Sequence, residues 1–164
     1  MNKWIPHMGA LLAGLFFATA TLAQSGRLTV DADRAELDES KGFSVYSGNV
    51  QLRQQNIALT GDRLTVSRPD AQTLTATMVG EPARLTHQPQ GSDAPVIATA
   101  GTMTYDTRSR VLTLEGSARI ERGADTLSAD RIEYNLTDQR MRAAGGESER
   151  VRITIPVPEL PDSP

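Results

Sequence analysis

Few residues of this chain are of a type that makes or breaks bonds, and none stands in the constellation that such chemistry requires. His87 is one of two histidines and the only one beyond residue 23. A Ser-His-Asp relay would have to use it, yet it adjoins the turn-rich stretch Gln88–Pro95 with no G-x-S-x-G elbow nearby. It reads as an exposed loop histidine. Asp31 and Asp33 alternate like the first ligands of a calcium loop, but the glycine and final glutamate of that loop are missing. Glu36 and Asp38 face one side of a strand, as two glycosidase carboxylates would, and equally as a solvated face would. Asn135-Leu136-Thr137 fits a glycosylation acceptor and reads as a turn. There are no cysteines, so disulfides, thiol catalysis and thiolate metal sites are excluded. No glycine loop that would cradle a phosphate appears. We expect no enzyme, no metal and no cofactor.

With no reacting group to position, the elements must serve a surface. Net charge is −3 at pH 7, so no basic field holds a phosphate backbone, and nucleic acid is not expected as a partner. Met1–Ala23 has a basic start at Lys3, a short apolar run Met8–Phe17, and small residues at Thr21 and Ala23. That is the layout of a cleavable signal peptide, and the run is too short for a membrane span. Cleavage after Ala23 leaves 141 of the 164 residues. The expectation is residues 1–23 as leader, 24–155 as one exported domain, and 156–164 as a proline-rich tail.

From Gln24 the texture is all-β, with Thr, Val and Leu alternating with charged residues and Gly, Asn and Asp as punctuation. Leu28–Leu59 reads as short strands with a kink at Asp33-Arg34 and a turn at Gly48-Asn49, and the unit recurs. Its corner returns at Asp33, Asp62, Gly101 and Asp130, separated by 29, 39 and 29 residues. The glycine turn returns at Gly48, Gly80, Gly116 and Gly145 or Gly146. One period of about 30 residues, interrupted by the loop Gln88–Pro95, marks a repeat in which each unit covers its neighbour.

Side-chain parity slips by one at each corner. Leu127 and Ala129 are in phase with each other, and Ile132, Tyr134 and Leu136 resume after a three-residue step. Leu28, Val30 and Ala32 stand in the same way before Ala35 and Leu37, and Ile57 and Leu59 before Leu64 and Val66. Such a step keeps apolar residues inward only if the strand bends or bulges. The corners therefore fold an antiparallel sheet into two facing layers with one dry and one wet side. Tyr46, Val50, Leu52, Leu112, Leu114, Ala118 and Ile120 fall on the dry side. Aromatic residues are only 4% of the chain, which fits either a thin packed core or an aliphatic interior left partly open. Leu28–Ala32 and Val151–Ile155 would end the sheet, and the first has no proline in its interior to block strand addition, so it reads as a docking edge.

In their order, YSGNVQLRQQNIALTGDRLTVSRP (Tyr46–Pro69), GEPARLTHQ (Gly80–Gln88) and MTYDTRSRVLTLEGSARIERGADTLSADRIEYNLTDQRMRA (Met103–Ala143) resemble the OstA-like family of periplasmic lipopolysaccharide transport proteins. The resemblance runs from about Leu28 to Leu160. It implies a V-shaped β-taco or β-jellyroll of two facing twisted layers with open ends. It also implies an apolar groove for the acyl chains of lipid A, lined by Leu28, Val30, Leu37, Leu85, Met103, Tyr105, Leu112 and Leu114. Val50, Leu52, Leu59, Ile132 and Tyr134 join these by parity. The partners it implies are lipopolysaccharide, an LptC-like inner-membrane protein, the N-terminal domain of an LptD-like outer-membrane protein, and further copies end to end. Three rival readings stand beside it: an LptC-like component that keeps an anchor, a periplasmic scaffold with a fully packed interior, and a carbohydrate-active β-solenoid.

Overall fold

The computed structural model describes residues 28–157 except 71, 90, 92, 93, 139, 148 and 149. The expected leader, residues 1–23, and the part of the expected tail from residue 158 lie outside the described residues. Within them every regular element is a strand: β1 (Leu28–Asp31), β2 (Arg34–Asp38), β3 (Phe43–Gln54), β4 (Ile57–Ser67), β5 (Thr75–His87), β6 (Val96–Asp106), β7 (Val111–Arg122), β8 (Asp125–Asn135), β9 (Arg140–Ala144) and β10 (Arg152–Thr154). They form one sheet in the order β1-β3-β4-β5-β6-β7-β8-β10, with β2 also on β3 and β9 also on β8. Each pairing is antiparallel. The sheet does not close, so β1 and β2 form one free edge and β9 and β10 the other.

Every pairing between consecutive long strands skips register once, between Ser47 and Val50, Thr60 and Arg63, Val79 and Ala83, Thr99 and Thr102, and Glu115 and Ala118. These breaks align into one fold line that divides the sheet into two arms. β1 and β10 edge the first arm, and β2 and β9 edge the second. The kink between β1 and β2 meets the line at Asp33, whose N–H donates to the Gly48 carbonyl at 2.9 Å. Its carboxylate accepts from Asn49 Nδ2 at 2.9 Å.

One expectation needs correction here. Gly48-Asn49 does not end a strand; β3 runs through it, as β5 runs through Gly80 and β7 through Gly116. Gly48 and Asn49 have φ of 80° and 48°, and Gly116 and Ser117 have 80° and 49°. Two successive left-handed residues can reverse a chain, but here they make a bulge that bends it. Corner and glycine turn are thus crossings of the same line by successive strands. The chain reverses elsewhere, for example at Gln55-Asn56 and Gly123-Ala124, and the loop Gln88–Pro95 joins β5 to β6 as expected.

The core sits along this line. Leu64, Met78, Met103, Leu114 and Ile132 are fully buried, together with Val50, Ala83, Ala98, Ala100, Ala118 and Ala129. No ring contributes to this cluster. Small residues crowd the fold because the strands approach closely there: a Cβ on Gly61 would lie 2.7 Å from both Met78 Sδ and the Val79 carbonyl oxygen.

Candidate functional site

Residues directly opposite on antiparallel strands project to the same face and touch, so the register converts the inward residues into rows that cross the whole sheet. In the first arm the row is Val30, Leu52, Leu59, Leu85, Ala98, Ile120, Leu127 and Ile153. In the second arm, next to the fold, it is Ala35, Tyr46, Leu64, Met78, Met103, Leu114, Ile132 and Ala143. Further out lies Leu37, Ser44, Val66, Ala76, Tyr105, Leu112, Tyr134 and Met141. Each row runs from one free edge of the sheet to the other. Apart from the tyrosine hydroxyls, none carries an ionisable group.

Burial divides the thirteen anticipated site residues into three kinds. Val50, Met103, Leu114 and Ile132 are at most 2% exposed and are packed into the core. Val30, Leu52, Leu59, Leu85 and Leu112 are half-buried against that core, and Tyr105 and Tyr134 are half-buried beside them in the outer row. Leu28 and Leu37, on the free edge, are 52% and 62% exposed. The surface open to a ligand is therefore the pair of flanking rows and the edge, not the middle row. Val66, Ala76, Ile120 and Leu127 share those flanking rows. The parity that marks their neighbours marks them too.

At the mouth of the second arm, Leu37, Phe43, Ser44, Tyr46, Val66 and Arg68 line a cleft of about 560 Å³ whose rim includes Asp38, Glu39 and Asp70. The Ser40 hydroxyl, and then Lys41, hold Asp38 below the usual carboxylate range. The Gln72 N–H and the Thr73 hydroxyl lower Asp70, which also takes Arg108 Nη2 at 2.8 Å. These carboxylates stay ionised and keep the rim wet beside an apolar floor.

The opposite face is polar. Thr65, Thr77, Thr104 and Thr113 stand in line across four strands. Arg119 is bound to Glu121 at 2.6 Å, and Arg131 joins Glu115 to Glu133. Glu133, the first of these to act, raises the pKa of Arg131. Asn135 accepts the N–H groups of Thr137 and Asp138, so it builds a turn. Among the described residues no group of three potential metal ligands occurs, around Asp31 and Asp33 or elsewhere. His87 ends β5, half-buried opposite Ile57 and Val96.

Comparison with known proteins gives concordant results. The sequence model of the "LptA/(LptD N-terminal domain) LPS transport protein" family matches residues 29–140. The lipopolysaccharide export system protein LptA of Escherichia coli K12 is 26% identical over 156 residues, covering 93% of this chain and 84% of that one. The lipopolysaccharide export system protein LptH of Pseudomonas aeruginosa is 29% identical over 161 residues, covering 95% and 90%. The crystal structure of LptH, described as the LptA homologous periplasmic component of a lipopolysaccharide transport device, superposes with a TM-score of 0.73. It is 25% identical and covers 80% of this chain and 96% of that one.

Proposed function

Since this chain belongs to the LptA/(LptD N-terminal domain) family of LPS transport proteins, we propose that it carries lipopolysaccharide through the periplasm, with lipid A acyl chains laid across its inward rows. In this reading residues 1–23 direct export and are removed, 24–155 form the carrier, and copies joined end to end bridge an LptC-like inner-membrane protein and the N-terminal domain of an LptD-like outer-membrane protein. The observation that carries it is the continuity of the apolar rows from edge to edge. Every acyl methylene taken out of water is worth about 0.8 kcal/mol, and the accessible flanking rows present uncharged, mostly apolar surface throughout. A lipid therefore meets no deep well along its path. Such a surface holds and hands on but drives nothing, so direction comes from elsewhere and the chain catalyses no step.

The test is photo-cross-linking of lipopolysaccharide to a photoreactive residue at Leu37 or Leu112, both inward and accessible, with outward Arg119 as control. Adducts at the inward positions alone support the reading. Adducts nowhere, from folded protein, favour the scaffold reading, which the packed centre of the middle row, Leu64 to Ile132, makes the serious rival. N-terminal sequencing of periplasmic protein tests the leader: a retained first segment would favour an anchored, LptC-like role.

A further inference from the structure

All three tyrosines of the chain stand on the inner face of the second arm. Tyr105 and Tyr134 share the outer row, on either side of Leu112. Tyr46 lies one row deeper and lines the edge cleft. The flanking row of the first arm, from Val30 to Ile153, holds only aliphatic side chains. The two walls of the interior therefore differ: one offers hydrocarbon alone, and the other adds hydroxyls.

Tyr105 is the last inward residue of β6, one short of the strand's end at Asp106, and Tyr134 stands likewise before Asn135 at the end of β8. Both are half-buried. A tyrosine so placed keeps its ring against apolar neighbours and its hydroxyl at the wet boundary. The lip beyond them is polar: Asp106 accepts from Ser109 and Thr75, and Asn135 from Thr137. Among the described residues neither tyrosine hydroxyl has a hydrogen-bond partner, and neither is sealed from solvent. The outer row carries no charge, so nothing in it matches a phosphate. A neutral O–H suits a neutral acceptor. Neighbouring strands lie about 4.8 Å apart, so two strands set the tyrosines roughly 10 Å from each other along the row.

We propose that Tyr105 and Tyr134 set the depth at which a lipid rides. Their hydroxyls donate to the ester or amide carbonyl oxygens that join acyl chains to a headgroup, with the chains inside and the headgroup beyond the lip. The inference rests on the lipid-carrier reading above and adds to it the ligand feature recognised and the residues that recognise it. A chain attached without a carbonyl, or sunk past its own, covers the hydroxyls with hydrocarbon and leaves them no acceptor, which costs affinity. This wall thus favours acyl lipids over alkyl ones, while the aliphatic row of the first arm does not discriminate. Each such bond replaces one to water and adds little net, so the lipid is placed without being trapped.

The test uses the exported chain, residues 24–164, with Tyr105→Phe, Tyr134→Phe and the double variant, which keep the rings and remove only the hydroxyls. Urea unfolding should match the parent, since no partner within the protein is lost. Capture of lipopolysaccharide should fall about two- to tenfold with each change. Two phosphatidylglycerols of equal chain length, one ester-linked and one ether-linked, isolate the carbonyl. The parent should prefer the ester-linked probe by at least about twofold, and the double variant should bind both alike. No preference in the parent, a preference that survives in the double variant, or equal loss for both probes overturns the role of the hydroxyls. Equal capture of lipopolysaccharide by parent and double variant does the same and leaves the carrier reading standing. A folded parent that captures neither lipopolysaccharide nor either probe overturns the carrier reading, and this inference with it.

Discussion

Truncation should separate the packed middle row from the open flanking rows. Ile132 has no exposed surface, so Ile132→Ala loses transfer energy and leaves a cavity, at a cost of about 2–5 kcal/mol. For a domain of this size that lowers Tm by roughly 10 °C. Leu112→Ala removes about three methylenes' worth of apolar surface, or roughly 2.4 kcal/mol if all of it were shielded. Leu112 is only half-buried. About half of that, ~1 kcal/mol, is therefore lost from folding. The other half is surface an acyl chain would cover, so its loss weakens lipid capture by about five-fold. Urea unfolding and lipopolysaccharide binding of the two variants, normalised to folded protein, read the two terms independently. If Ile132→Ala lowers lipid affinity per folded molecule more than Leu112→Ala does, the sealed row is a lipid surface and this division of the interior is wrong.

Other expectations are sharper in sign than in size. Leu37→Asp, on an edge residue 62% exposed, should leave the free energy of urea unfolding within about 0.5 kcal/mol of the parent while reducing lipid cross-linking in the adjoining cleft; an unchanged yield would remove that cleft from the path. Asp38, Asp70 and Asp106 all have lowered folded pKa values, the last chiefly through the Ser109 N–H. Their contribution is complete above the unfolded value of about 3.9 and is lost as pH falls through the lower folded values. The urea midpoint should therefore hold from pH 7 to about 5 and drop below 4, with a shallower drop in Asp70→Asn. Two glycines of the fold line should respond oppositely to alanine. Gly61→Ala drives a Cβ to within 2.7 Å of a backbone oxygen and should destabilise. At Gly101 the nearest atom is 3.5 Å away and φ is ordinary, so Gly101→Ala should be neutral or stabilise by up to about 1 kcal/mol; calorimetry of the pair decides it.

What was legible in the sequence was whatever depends on neighbours along the chain. The three-residue step between Ala129 and Ile132, or between Leu59 and Leu64 with its extra turn residues, betrays the bend because burial must resume on the correct side. The open ends at Leu28–Ala32 and Val151–Ile155 were legible because an unclosed repeat leaves its first and last strands with one neighbour each. Gly48-Asn49 was not. Two left-handed residues look the same locally whether they reverse a chain or bulge it, and only the partner strand, β4, decides. Nor does parity separate Ile132 from Leu112. Both point inward, but how far each lies from the fold line is a matter of register across strands distant in sequence. The tyrosines were present in the letters as inward residues, yet their gathering on one arm emerges only once the sheet brings Tyr46, Tyr105 and Tyr134 into adjoining rows.

The strand order has a consequence for how the molecule comes into being. Almost every strand pairs with those next to it in sequence, the exceptions being the short excursions from β1 to β3 and from β8 to β10. Few contacts require distant segments to find each other first, so the loop-closure entropy that slows most all-β topologies is small here. Stability then accumulates hairpin by hairpin, as in a one-dimensional array, with each strand answerable mainly to two neighbours. The terminal strands answer to one. They are the last to zip and the first to fray, and their release leaves the interior hairpins intact. The parts of the chain that another molecule would grasp are those it can lend without coming apart.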